Sequence, residues 1–439
     1  MLPRLATSLG LAALVLGCAT QRTEIRGTGD NNGLLTLAAV TRDCGVKNDL
    51  HQQSIERYQG FALATVEFRD DGHSAGYDQV EQVRGLLDEV DKENGPGALI
   101  VVFVHGWHHN ADPFDDNMRC FRNVIGRVHS LRHDRHDPRP MVGIFVAWRG
   151  DNIKEPLINW ATFWNRKAAS ETIGKLGARD FLVELADRHQ RDRQAGRKTS
   201  VIFVGHSFGA DLIFSALEYR LLGGAGNRVQ VVPPLTPGSA VKAERKGFGE
   251  LAILVNPAVE ASRYRPFDAD LDAPGEYQPT QNPRLVVVAS HADWAVKDVF
   301  PVGQSLWMFF HPTYWGCGTP CLLGLGHFQS QITHMLHGIG TQPGVQDGGG
   351  KCGCRALDPS AGFQRTAFDV DGVKQQTVGK GITLTPVPGK AKQHSPFLVI
   401  ETNKSVIREH SDIFNSRIMD FIVNYIYNLP DLPNIPRHS

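Results

Sequence analysis

Gly205-His206-Ser207-Phe208-Gly209 sets a serine between two glycines, directly after the apolar run Val201-Ile-Phe-Val204 and directly before a helical pattern. A hydroxyl presented on so tight a strand-to-helix turn takes a strained backbone conformation. Its neighbours must lack side chains for strand and helix to close on each other. The helix start also turns free N–H groups and a positive dipole end toward the serine. Ser207 is therefore a candidate nucleophile, but a hydroxyl attacks poorly until another group accepts its proton. The chain offers 18 histidines for that task. His410 lies between a strand-like run and the final helical pattern, whereas His394 precedes the same run. An acid to orient the base could be Asp293, in Ser290-His-Ala-Asp293 at the end of an apolar run. Asp298 shortly after it and Asn256 or Glu260 after the preceding run are the other choices. A further histidine, His105, ends Val102-Phe-Val-His-Gly106-Trp107 and is expected to hold its own loop rather than act as the base; His108 and His109 are expected to be solvated.

The elements that must position these residues alternate along the chain. Phe61–Phe68 alternates like a strand, and 98–104, 141–148, 200–204, 251–255, 285–289 and 397–401 are further strand-like runs. Such continuous apolar runs suit strands buried on both faces. Helical patterns fall between them at about 113–131, 165–193, 208–222 and 412–427, with Ser411 or Asp412 expected to cap the last. Strands alternating with helices over this length predict an α/β protein with a mostly parallel, doubly wound sheet. Two stretches break the rhythm: 259–283, expected as a surface loop, and 301–393, rich in Gly, Pro, Cys and His, expected as a large cap insertion before the last strand.

The motifs Val-Phe-Val-His-Gly-Trp, Ala147-Trp-Arg-Gly-Asp151, Gly-His-Ser-Phe-Gly-Ala and Ser-His-Ala-Asp, with Asn256-Pro257, resemble bacterial esterase/lipase-like α/β-hydrolases. The resemblance covers about 98–294 and 397–427 and does not extend to the insertion. It implies the α/β-hydrolase fold, a strand–turn–helix around the nucleophile, and a chain order of serine, acid, histidine. On that order Ser207, Asp293 and His410 form the expected triad. The backbone N–H groups of Trp107 and Phe208 are then expected to form the oxyanion hole, binding the charge that develops on a substrate carbonyl oxygen.

Arg4 and the apolar run 5–16 read as a secretory signal, too short to span a bilayer, and should be excluded from the fold. The run ends in Leu14-Val-Leu-Gly-Cys18, which resembles a bacterial lipoprotein box and implies cleavage before Cys18 and acylation of its thiol. Ala19 then points to the outer membrane. The expected organisation is a signal over 1–17, a tether and leading segment over 18–55, a core over 56–300, the insertion over 301–393, and a last strand with final helix over 394–439. Export makes disulfides the leading reading for Cys317, Cys321, Cys352 and Cys354; bound metal and free thiols are the alternatives.

Lys plus Arg and Asp plus Glu both number 46, so the chain lacks the basic excess of a nucleic-acid binder. No pattern calls for a cofactor. The expected activity is hydrolysis of carboxylic esters, including lipid-like ones, by a protein tethered in the cell envelope. An acyltransferase or amidase could use the same residues, and a non-catalytic envelope-binding scaffold would need none of them.

Overall fold

The structure is a computed structural model; it describes residues 26–30, 34–35, 53–92, 96–133, 137–150, 156–221, 231–232, 241–242, 249–309, 316–339, 366, 368–370 and 372–428. In chain order the strands are β1 (Gly27–Asp30), β2 (Gln53–Tyr58), β3 (Phe61–Phe68), β4 (Leu99–Val104), β5 (Met141–Trp148) and β6 (Ser200–His206). A short ribbon follows, β7 (Val231–Val232) with β8 (Val241–Lys242), then β9 (Leu251–Val255) and β10 (Leu285–Ser290). Last come β11 (His334–Gly338), β12 (Gln376–Gly379), β13 (Ile382–Pro386) and β14 (Phe397–Thr402). Twelve of these form one sheet in the order β1-β2-β3-β5-β4-β6-β9-β10-β14-β11-β13-β12. From β3 to β11 every neighbouring pair is parallel; β2 against β3, and β13 against both β11 and β12, are antiparallel.

Helices cover both faces of the sheet, and β4 shows why its sequence reads as an unbroken apolar run. Ile100, Val102 and Val104 face one core, shared with Phe181 and Leu182 of the helix Gly177–Gln194 and Ile213 of the helix Phe208–Leu221. Leu99, Val101 and Phe103 face the other, shared with Phe121 and Ile125 of the helix Asp116–His133 and Phe421 of the helix Ser416–Asn428. With both faces covered, no position is left for a polar residue. The chain passes from β4 to β5 on one side and then to β6 on the other. The carboxyl ends of β4 and β6 therefore flank a switch in strand order, where open α/β sheets leave a crevice.

Several expectations are corrected. Within 301–393, expected as a cap, the strands β11, β13 and β12 instead extend the central sheet beyond β14. These short strands sit among Gly, Pro and His, and β11 itself is His-Met-Leu-His-Gly with little β-branched character, so periodicity did not mark them. The leading segment likewise supplies strands, β1 and β2. The stretch 259–283 contains the helix Arg265–Asp272, with Tyr264 and Phe267 buried against the core. The long helical region divides into Pro156–Lys175 and Gly177–Gln194. The final helix starts at Ser416 and is capped by Asn415, whose Oδ1 accepts from the N–H groups of Arg417 (2.9 Å) and Ile418 (3.2 Å). Asp412 instead accepts from the Arg408 side chain.

Candidate active site

Ser207 stands between β6 and the helix Phe208–Leu221 with φ of 55°, in the left-handed region that a side chain other than glycine rarely occupies. The close fit around it explains two glycines. A Cβ on Gly209 would lie 2.2 Å from the Val104 carbonyl oxygen and 2.4 Å from that of His105, so only glycine lets the helix start close onto β4. A Cβ on Gly106 would lie 3.0 Å from the Cβ of Ser207 and 2.8 Å from His206 Nδ1. The loop leaving β4 thus passes directly against the serine. It carries Trp107, whose ring centroid is 6.2 Å from that of Phe208. Both residues expected to supply oxyanion donors are accordingly brought beside Ser207.

The three residues expected to act together meet at the carboxyl edge of the sheet. The Ser207 hydroxyl lies 2.8 Å from His410 Nε2, and His410 Nδ1 lies 2.7 Å from Asp293 Oδ2. The serine donates to Nε2, and Nδ1–H donates to the carboxylate. Asp293 follows β10 and is fully buried; its second oxygen accepts from the Val296 N–H at 3.0 Å. His410 comes from the loop after β14, with its side chain 17% exposed. A buried carboxylate with both oxygens engaged fixes the imidazole tautomer and holds its free nitrogen on the hydroxyl.

Two further residues hold the His410 loop from behind: His206, which sequence reasoning gave no role, and Asn256, which it offered as an acid and which instead bonds backbone groups. His206 Nε2 donates to the His410 carbonyl oxygen at 2.9 Å, and Asn256 Nδ2 donates to the same oxygen at 3.0 Å. Asn256 Oδ1 also accepts from the Ser290 N–H at 3.0 Å, so one side chain ties the end of β10 to the base loop. Asn256 has φ of 44°, which asparagine tolerates better than most residues. Burial, reinforced by the neighbouring His410, pushes the His206 pKa well below its ordinary value, so that ring stays neutral and donates from Nε2. The signal available in the sequence was position alone: each is the last or next residue of a strand whose carboxyl end faces the site.

The remaining candidates have other partners. His105 Nδ1 donates to the Gly106 carbonyl (2.8 Å) while Nε2 accepts from the Trp148 N–H (3.1 Å), and burial lowers its pKa to about 4. It therefore holds its own loop, as expected. His109 is not simply solvated: it lies 3.0 Å from Asp115 and 2.6 Å from Asn117, while His108 is exposed. Glu260 pairs with Lys167 at 2.8 Å. His394 precedes β14 at the opposite edge of the sheet. In the first turn of the nucleophile helix, buried Asp211 accepts from Arg263 and Ser170, both at 2.7 Å, which fixes the helix start behind the serine. Scans against protein-family models, curated proteins and solved structures return no match.

Of the cysteines, Cys317 and Cys321 form a disulfide, while Cys18, Cys352 and Cys354 lie outside the described residues. Among the described residues no group of three or more His, Cys, Asp and Glu could hold a metal ion, and no helix is long and apolar enough to cross a membrane.

Proposed function

We propose that this chain is a serine hydrolase of the α/β-hydrolase type, cleaving carboxylic esters while tethered to the cell envelope through an acylated Cys18. The observation that carries the reading is the continuous relay from Ser207 Oγ through both nitrogens of His410 to the buried carboxylate of Asp293.

In that reading His410 takes the Ser207 proton as Oγ attacks the ester carbonyl. The imidazolium formed is stabilised by the Asp293 carboxylate. Negative charge on the carbonyl oxygen is met by the backbone N–H groups of Trp107 and Phe208. His410 returns its proton to the departing alcohol, leaving the acyl group on Ser207. Water then repeats the attack with His410 again as base, releasing a carboxylic acid and restoring the hydroxyl. The props on the His410 carbonyl matter at both proton transfers, because the base must keep its place while its ring gains and loses charge.

A fluorophosphonate probe tests the reading. It should label the protein at Ser207, with no labelling of Ser207→Ala. Turnover of soluble esters of graded acyl length, with amides alongside, then defines the substrate. Labelling that survives in the alanine variant overturns the assignment.

A further inference from the structure

The position of Arg26, close in sequence to Cys18, bears on which edge of the sheet the proposed tether serves. Arg26 is completely buried. Its N–H donates to Glu67 at 2.8 Å, its Nε to the Ala111 carbonyl at 2.7 Å and its Nη1 to Glu56 at 2.9 Å, while its own carbonyl accepts from Gln79 at 3.1 Å. Glu56 also takes two hydrogen bonds from Arg122 and one from Tyr58. Residue 26 is thus locked into the body of the protein.

The strand registers say where that lock sits. Gly27 pairs with Gln53, and β2 runs antiparallel to β3, with Ile55 opposite Ala64. Gln53 and Gly27 therefore lie near the carboxyl end of β3. That end pairs with the end of β5, Phe68 with Trp148, and the Trp148 indole donates to the His105 carbonyl at the end of β4. Arg26 enters at the carboxyl edge, the edge that carries Ser207, Asp293 and His410. It stands only eight positions after Cys18, a reach of about 28 Å when fully extended. Across the sheet, β1 is five strands from β6, about 24 Å.

Among the described residues, the exposed large apolar side chains favour the same edge. Leu176 (49% exposed) lies against Gly72 in the turn after β3, and Trp294 (60%) directly follows Asp293. Val302 (52%) is on the helix after it, and Ile339 (64%) follows β11, which runs parallel to β14. Leu34 (69%) is the exception; its neighbour Leu35 bridges to Tyr58 at the amino edge. Single exposed apolar residues are ordinary on a surface. Here they flank the site on the edge to which the short tether leads.

We infer that the carboxyl edge of the sheet faces the bilayer carrying the Cys18 anchor, and that the site takes esters presented by that same bilayer. The inference rests on the hydrolase and anchor reading above and adds the substrate's location and the orientation of the protein. A tether of about 28 Å, against about 53 Å across the twelve-stranded sheet, confines the site near its own membrane, raising the effective concentration of that membrane's esters over those elsewhere.

Two readouts test it separately. Orientation is read from the full-length lipidated protein in phosphatidylcholine vesicles, with a thiol-reactive fluorophore placed through Ile339→Cys or Leu34→Cys and measured against the equally treated parent. Doxyl-labelled phosphatidylcholine should quench the label at position 339 at least threefold more than at position 34; equal quenching, or the reverse order, overturns the orientation. Location is read with a fluorogenic phospholipid ester, placed either in the protein's own vesicles or in separate protein-free ones. Turnover should be at least tenfold faster in the protein's own vesicles. A forty-residue Gly/Ser linker inserted between positions 20 and 25 should reduce that ratio at least threefold, leaving p-nitrophenyl butyrate turnover unchanged. Equal turnover in both vesicle sets, with p-nitrophenyl butyrate still cleaved, overturns the substrate location and spares the hydrolase reading. Loss of all ester cleavage with the quenching order intact overturns the hydrolase reading and spares the orientation.

Discussion

Removing the Asn256 side chain separates the positioning of the base from its chemistry. Asn256→Gly suits the test, because glycine accepts the φ of 44° without strain while deleting both hydrogen bonds. The variant leaves the Ser290 N–H without its acceptor and the His410 carbonyl held by His206 alone. Asn256 is fully buried, so the loss should lower stability by about 1–3 kcal/mol. The catalytic effect follows from geometry. The relay depends on spacings of 2.7 and 2.8 Å, and a displacement of about 1 Å can reduce turnover by about 100-fold. Turnover of a soluble short-chain ester should fall by about 10- to 100-fold with KM nearly unchanged, and labelling by a fluorophosphonate should slow in proportion. Asn256→Asp keeps the acceptor for Ser290 but sets a carboxylate against the His410 carbonyl, so it should recover stability better than turnover. If both variants lose stability while turnover stays within twofold of wild type, Asn256 merely supports the fold and the positioning role is refuted.

His410→Ala should abolish turnover with little loss of stability while His394→Ala leaves it intact; a nearly active His410→Ala protein would move the base elsewhere. Asp293→Asn should lower turnover by about four orders of magnitude, by analogy with the serine-protease triad that the general rule is drawn from. Burial lowers the pKa of His105 and of His327 to about 4, so the unfolded chain binds more protons than the folded one below about pH 6.5. Their contribution to stability is complete above that pH and fades toward pH 4, about 2 kcal/mol for each by pH 5. Urea titrations at pH 7 and pH 5 should show the decline, and His327→Gln should reduce it. Glu56→Leu would strand two buried guanidinium groups and should lower stability by about 3–5 kcal/mol; a loss below 1 kcal/mol in the same titration would show that the cluster does not hold the N-terminal segment.

The triad was legible because each member follows a strand whose sequence cannot be mistaken. Val201-Ile-Phe-Val204, Leu285-Val-Val-Val-Ala289 and Phe397-Leu-Val-Ile-Glu401 are buried on both faces, so the residues beyond them fall at one edge of the sheet. What lay outside such runs was hidden. β1 and β2 lie at one edge of the sheet and β11 to β13 at the other; β11 to β13 are only partly buried and join it through β11, whose partner β14 comes 66 residues later, as in His334 against Ile400. The division at Leu176 falls inside a continuous helical pattern. His206 and Asn256 were illegible as props, because what they hold is a backbone oxygen, which no residue type announces.

The pairing of Ser207 with His410 spans 203 residues of sequence, and the base arrives only after β14 has taken its place between β10 and β11. On the hydrolase reading proposed above, a chain that lacks the loop after β14 would hold its nucleophile without a proton acceptor. A chain cut short before residue 410 would then be inert however well its first two hundred residues have folded.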